Sequence, residues 1–403
     1  MDTATHGPGL LGGVLARGDV AACLDDTAWL RALLDVEAAL ARAQATVGLL
    51  TPEAAEAITG ACERDVYDAD ELGEAAAAAG NPVVPLVAAI RARAGAAAAH
   101  VHRGATSQDI VDTALMLLAR DALTPLRADV RAAAGAAAAL ADRHRGTVMA
   151  GRTLLQQAMP TTFGLKAAGW ALALDGVADR LDALVHRLPV QLGGAAGTLA
   201  GLDGAGLAVV HALAAELGLA EPVLPWHTLR LPVTDLAGAL GSVAGVAGKV
   251  ALDVVLLAQS EVAEVREGVP GRGGSSAMAH KRNPVAAIST RAAALRAPGL
   301  VATLLTAAQA QEHERAAGGW HAEWLSLADL LRTVGSAAAW LRDCLEHLEV
   351  DVARMAETEN AAERDRGAGP GPGPGDDAEA PAPDVGEAEA LVDRALAVRR
   401  SVP

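Results

Sequence analysis

The 403-residue sequence predicts an all-α bundle, and two observations carry that expectation. Alanine, leucine, glycine and valine dominate while there is one Phe and one Tyr. Strands favour aromatic and β-branched residues, so an Ala/Leu-heavy mix reads as helical. Alanine excess can also follow from the base composition of a genome, so periodicity counts for more. Leu236, Leu240, Val243, Ala247, Val250, Val254 and Leu257 fall four and three apart, the seam of a helix in a bundle. Long runs of small apolar residues joined by short polar stretches fit the same class.

Charge and cysteine content narrow the function. The formal net charge of −16 argues against nucleic acid or an anionic membrane as partner. An anionic substrate would then need cations gathered locally. Cys23, Cys62 and Cys344 are odd in number and far apart, which suggests neither a disulfide framework nor a cysteine metal site. Such sparing use fits a reducing cytosol, and the N-terminus lacks the basic-then-apolar pattern of a signal peptide, so a cytoplasmic location is expected.

Along the chain, residues from about Gly9 to Ile58 read as helices with a break. Asp25-Asp26-Thr27 offers caps before the run from Trp29 to Leu40, and Thr51-Pro52-Glu53 opens the next helix. Gly80-Asn81-Pro82 is a turn before the segment Val83 to Ile90. In His102-Arg103-Gly104-Ala105-Thr106-Ser107-Gln108-Asp109, Thr106 or Ser107 can cap a helix and Asp109 suits its first turn. Capping explains one hydroxyl but not His, Thr, Ser and Gln together at a helix mouth. A third string runs from Gly151-Arg152-Thr153-Leu154 through Gln157 to Gly164. Gln191 to Thr198 is a glycine loop, and Pro225-Trp226-His227-Thr228-Leu229-Arg230 follows a second turn. His227 there suits packing or capping as well as a ligand role. The apolar segment Leu236 to Leu257 has the length of a membrane span, but Lys249 and Asp253 inside it favour a buried bundle helix.

Next comes Gly271-Arg272-Gly273-Gly274-Ser275-Ser276-Ala277-Met278-Ala279-His280-Lys281-Arg282-Asn283-Pro284. Its glycines let the backbone swing and approach a ligand, and Asn283-Pro284 suits a helix start that favours negative charge. It looks like a mobile loop built to close over an anion. A phosphate-binding loop would put Lys before the hydroxyl, and a nucleophile elbow would need Gly where Ala277 stands. A plain flexible linker is the remaining alternative. Farther on, Gln311-Glu312-His313-Glu314-Arg315 sits between helical runs, and Ala317 stands where a zinc-protease motif needs its second His. Gly367 to Pro383 is Gly/Pro-rich and acidic, a linker that need not pack, and Glu387 to Arg400 is helical again.

The ordered string Gly-Ser-Ser-x-Met-x-x-Lys-x-Asn-Pro resembles the signature loop of the fumarase, aspartase, argininosuccinate lyase and adenylosuccinate lyase superfamily. His280-Lys281-Arg282-Asn283 resembles its bacterial 3-carboxy-cis,cis-muconate cycloisomerase branch, although Ala279 replaces the usual proline and Arg103 a usual aromatic residue. Leu154 and Gln157 align with positions where lyases of the superfamily carry histidines. The cycloisomerases have an apolar residue at the first, and tend to keep His at the second. The likeness covers about residues 10–360. It implies an elongated helical bundle of the fumarase/aspartase type, divided as 1–101 (N-terminal helical), 102–350 (central bundle with the loop 271–284) and 351–403 (a shortened C-terminal region). It implies a homotetramer, a small polycarboxylate substrate, and neither metal nor organic cofactor.

The resemblance also assigns roles. Ser275 would move the proton, with Lys281 and a helix N-terminus favouring its oxyanion. Ser276, Met278 and neighbouring N–H groups would cradle an anion, and Thr106, Ser107 and Arg315 would orient carboxylates. His102, Gln108, Arg152, Thr153, Gln157, Arg230 and Asn283 would complete the substrate contacts, and Asn81 would stand close by. The expected reaction is lactonisation of the muconate in aromatic-acid breakdown (the β-ketoadipate route). A fumarate-releasing lyase that eliminates an amine or nitro group, or a non-catalytic helical scaffold, are the other expectations.

Overall fold

The computed structural model describes residues 9–278, 280–367 and 383–401. Helices dominate them. The first five are α1 (Gly9–Leu15), α2 (Asp26–Thr46), α3 (Pro52–Ala61), α4 (Ala69–Ala79) and α5 (Val83–Arg93). Then come α6 (Ser107–Arg143), α7 (Phe163–Val185), α8 (Gly206–Leu217) and α9 (Leu231–Leu257). The last are α10 (Val285–Gln309), α11 (Gly319–Glu346), α12 (Val352–Gly367) and α13 (Ala388–Ser401). Two small antiparallel sheets accompany them: β1 (Val148–Thr153) with β2 (Gln156–Thr162), and β3 (Val265–Glu267) with β4 (Leu348–Val350).

The chain forms two compact units. One comprises Met1–Leu126, Arg180–Gly241 and Arg296–Gly335, the other Arg127–Asp179, Ser242–Leu295 and Ser336–Pro403. The long helices α6, α7, α9, α10 and α11 each contribute residues to both. Each unit therefore draws on more than one of the contiguous stretches 1–101, 102–350 and 351–403. α6, at 37 residues, is about 55 Å long.

Local chemistry sets the helix ends. The Asp25 carboxylate accepts from the Ala28 N–H at 2.8 Å and starts α2. Thr51 Oγ1 accepts from the Ala54 N–H at 3.2 Å and starts α3, with Pro52 in its first turn. Asn81 Oδ1 accepts from the Val83 and Val84 N–H groups, so its observed work is turn chemistry at the head of α5. Thr51→Ala should lower the unfolding free energy by about 0.5–2 kcal/mol in urea titration. No loss would mean that water caps α3 equally well.

The α9 seam is internal: Leu236, Leu240, Val243, Ala247, Val250, Val254 and Leu257 are all buried. Among the described residues this one helix is long and apolar enough to cross a membrane. Lys249 pairs with Asp253 along it, and Asp253 also accepts from Trp170 Nε1 at 2.8 Å. In the first unit α2 buries Leu30, Leu33, Leu34, Val36 and Leu40 on one face. In the second, Phe163 is fully buried with its ring edge-on to His144 and Trp170, 5.6 and 5.7 Å between centroids.

α12 runs to Gly367, where the expected linker begins. Of the expected Gly/Pro linker, residues 368–382 lie outside the described ones. The expected last helix is α13, docked by Arg399 on Asp175 at 2.5 Å and by Asp393 on Arg145 at 2.8 Å.

Candidate active site

In the first unit the candidate residues gather on the turn that leads into α6. His102 and Gly104 both have left-handed backbones, φ 63° and 73°. For histidine this costs on the order of 1–3 kcal/mol and persists only where the surroundings enforce it. A Cβ at Gly104 would press within 2.5 Å of the Leu202 side chain, so only glycine fits. His102, Thr106 and Ser107 are half-buried. Asp109, fully buried, accepts from the N–H groups of Thr106 (2.9 Å), Gly193 (3.0 Å) and Gly194 (2.9 Å). It thus fastens the turn to the glycine loop 191–198, a larger task than sitting in a helix's first turn. His227 Nε2 lies 2.6 Å from the same carboxylate and the ring is buried, which favours packing over ligand binding.

Arg230 is not where a ligand can reach it. Its side chain is 0% exposed and lies between the buried carboxylates of Asp112 (2.6 Å) and Glu323 (2.6 Å). It also stacks on Trp226, 4.7 Å to the ring centroid. Burial opposes the charged guanidinium, but the two carboxylates outweigh it and hold its proton more firmly than usual. The expected substrate contact is therefore corrected to a brace. Gln108 is likewise fully buried: its Nε2 donates to the His227 carbonyl at 2.8 Å and to Asp112 at 3.2 Å.

Arg315 is held differently. Its Nη1 donates to Gln108 Oε1 at 3.0 Å, and Nη2 donates to the carbonyls of Gly194 (3.2 Å) and Ala195 (3.0 Å). Those acceptors are neutral, so they orient the guanidinium without cancelling its charge. Arg315→Gln should raise the Michaelis constant of a polycarboxylate by roughly ten- to a hundredfold, from the loss of about 1.5–3 kcal/mol. An unchanged constant would make Arg315 a surface charge only.

The second unit carries the other two motifs. The third string lies on the β1–β2 hairpin, with Leu154 and Leu155 at its tip, both left-handed and exposed. Thr153 and Gln157 are exposed strand residues, and Gln157 faces Arg152 across the hairpin. Arg152 binds both oxygens of the buried Glu264, at 2.9 and 2.7 Å. Arg152, expected among the substrate contacts, is thus held by a carboxylate of its own.

In the signature loop, Ser275 is half-buried and Lys281 and Ser276 are exposed. Ser275 Oγ accepts from the N–H groups of Ala277 (3.3 Å) and Met278 (3.2 Å). These amides were expected to cradle a substrate anion; they face the serine oxygen instead, where donors favour its ionised form. The expected support from the α10 N-terminus is also corrected. Its Ala286 and Ala287 N–H groups donate to the Glu267 carboxylate at 3.1 and 2.9 Å. Asn283 pins the loop stem, its N–H and Nδ2 both donating to the Gly273 carbonyl at 2.8 and 3.1 Å. Gly273 (φ 75°) is required there, because an added Cβ would collide with the Asn283 carbonyl. Arg272 clamps the stem on Asp343 at 2.9 and 2.8 Å. Ala279 lies outside the described residues. A cavity of about 910 Å³ lies against this stem, lined by Glu267, Arg272 and Asp351 among others, but not by Ser275 or Lys281.

A family model described as Lyase matches residues 21–299. The chain belongs to this lyase family. It is 48% identical over 358 residues to 3-carboxy-cis,cis-muconate cycloisomerase of Bradyrhizobium diazoefficiens, covering 87% of this chain and 79% of that one. It is also 48% identical over 360 residues to nitrosuccinate lyase of Streptomyces davaonensis, covering 86% and 76%. The crystal structure of 3-carboxy-cis,cis-muconate lactonizing enzyme from Pseudomonas putida superposes with a TM-score of 0.86 at 36% identity. That alignment covers 97% of this chain and 99% of the other. The helical fold of this family member is thus of the fumarase/aspartase type.

Sequence reasoning missed the carboxylates Glu37 (2.6 Å from His102 Nδ1), Asp112, Glu264, Glu267 and Glu323, and gave Asp109 only a place in a helix's first turn. Some signal existed. Glu37 interrupts an apolar helical run, and Asp109 and Asp112 flank Ile110-Val111. An acid inside such a run is rarely buried without a partner.

Proposed function

We propose that this chain is a cycloisomerase that closes 3-carboxy-cis,cis-muconate to carboxymuconolactone. One substrate carboxylate adds across a carbon–carbon double bond, and Ser275 Oγ–H gives its proton to the carbon beside another carboxylate. The serine oxyanion left behind is stabilised by the Ala277 and Met278 amides, with Lys281 adding positive charge from the same loop. Arg315, Thr106 and Ser107, supplied by another subunit of the proposed tetramer, orient the carboxylates. The observation that carries this reading is Ser275 Oγ held as an acceptor by two loop amides, in a chain 48% identical to a cycloisomerase. The role in aromatic-acid breakdown, a cytoplasmic location and a homotetrameric assembly belong to the same proposal. Light scattering tests the last, with about four chains per particle as the expected result.

A second reading has its own support in the equal identity to a nitrosuccinate lyase. Elimination of nitrite from nitrosuccinate to give fumarate also needs a proton moved beside a carboxylate, and Ser275 would serve it as base. Gln157, which cannot carry a proton at neutral pH, fits a reaction whose leaving group needs no acid. Separate assays decide between them: loss of muconate absorbance against release of nitrite. Faster muconate turnover, compared as kcat/KM, supports the cycloisomerase; nitrite release alone overturns it, and consumption of neither substrate overturns both.

A further inference from the structure

The face of α2 turned toward the His102 turn carries two buried polar residues seven apart, Glu37 and Gln44. Gln44 Nε2 donates to the Arg103 carbonyl at 2.8 Å, fixing the backbone of the turn. Glu37 Oε1 lies 2.6 Å from His102 Nδ1. The Glu37 side chain is 0% exposed and the imidazole 15%, so the pair is closed on the glutamate side and open on the histidine side. Glu37 Oε2 is buried without a hydrogen-bond partner among the described residues, as is Gln44 Oε1. Burial first, and then the nearby Glu37, push the Cys62 thiol up to about 12, with Arg42 opposing. Arg103, next to His102, is directed elsewhere, to the Leu49 carbonyl and Asp203.

A carboxylate on Nδ1 fixes which imidazole nitrogen faces outward: Nδ1–H is turned to Glu37 and Nε2 away from it, and Nε2 donates as well when the ring carries both protons. The left-handed backbone at His102 then sets where that nitrogen points. We propose that Glu37 is a positioning residue for substrate binding: it locks His102 through Nδ1–H so that Nε2–H of the doubly protonated ring is presented to a carboxylate of the substrate. In a chain of net charge −16, a fixed donor at the half-buried end of the turn offsets the global repulsion of a polycarboxylate. The inference rests on reading the chain as an enzyme for such a substrate, and it extends that reading to a residue no motif points to.

The test compares Glu37→Gln, His102→Asn and the double variant. Glu37→Gln keeps the volume and an acceptor for Nδ1–H but removes the charge. Three quantities are measured: KM and kcat for the muconate, the dissociation constant of tricarballylate (an unreactive tricarboxylate) by calorimetry, and the melting temperature. Each single variant is expected to raise KM and the tricarballylate constant about tenfold, the scale of a charged hydrogen bond, with kcat changed less. Glu37→Gln should add nothing once His102 is Asn, as for residues acting through one another. A Glu37→Gln protein with wild-type constants overturns the proposal, and so does an equal penalty in both backgrounds. Should Glu37→Gln not fold, Glu37→Asp keeps the charge but withdraws the carboxylate, and wild-type constants in that variant overturn it too. If the wild type turns over neither muconate nor nitrosuccinate, the functional reading falls while the tricarballylate constants still decide the dyad. A wild type that does not bind tricarballylate overturns it.

Discussion

Ser275→Ala is expected to give a folded protein whose turnover has fallen by roughly 10²–10⁴-fold, the usual worth of a positioned acid or base. The serine is in a loop and half-buried, so an alanine there disturbs little packing. What disappears is the one oxygen that the Ala277 and Met278 amides hold. Neither Leu154 nor Gln157 can take over its proton. Because the Glu267 carboxylate already occupies the start of α10, the remaining positive charge within the loop motif is that of Lys281 and its neighbours. Lys281→Met should therefore cost nearly as much, and the double variant should be hardly worse than either single one. Single-turnover rates, with circular dichroism to confirm folding, check this. A Ser275→Ala rate above about a tenth of wild type, far more than loss of an acid or base should leave, would route the proton through another group, His102 first.

Arg230→Gln should act on stability rather than on chemistry. It removes the cation between Asp112 and Glu323 and leaves both carboxylates buried. Breaking a buried ion pair on one side typically costs about 3–5 kcal/mol. The same Asp112 accepts from Gln108, Gln191 and Trp320, so the loss should also loosen the support of Arg315 through Gln108. Urea denaturation followed by tryptophan fluorescence measures the effect. A loss below about 1 kcal/mol, the level of an exposed pair, would show that Arg230 is not a brace.

How far the sequence could be read depends on the range of the forces involved. The caps at Asp25 and Thr51, the α9 seam and the last helix are local patterns, and the structure has them where the residues predict. The β1–β2 hairpin was not legible: Leu154-Leu155 at left-handed positions lacks the Asn-Gly chemistry that announces such a turn. Arg152 and Arg230 looked like substrate cations because their partners are remote. Glu264 and Asp112 lie 112 and 118 residues away along the chain. An arginine in a motif shows its charge in the sequence, but the carboxylate that cancels it is set by tertiary packing. Arg315 is separated from those two only by its neutral acceptors, which no one-dimensional pattern reveals.

The central claim is that this chain adds a carboxylate across a double bond while Ser275 delivers the proton. Turnover of 3-carboxy-cis,cis-muconate in D₂O, followed by proton NMR, tests it most directly. The expected result is a lactone carrying one carbon-bound deuterium beside a carboxylate, formed by the wild type and not by Ser275→Ala. Unchanged muconate with the wild type, or lactone formed equally fast by Ser275→Ala, would contradict it.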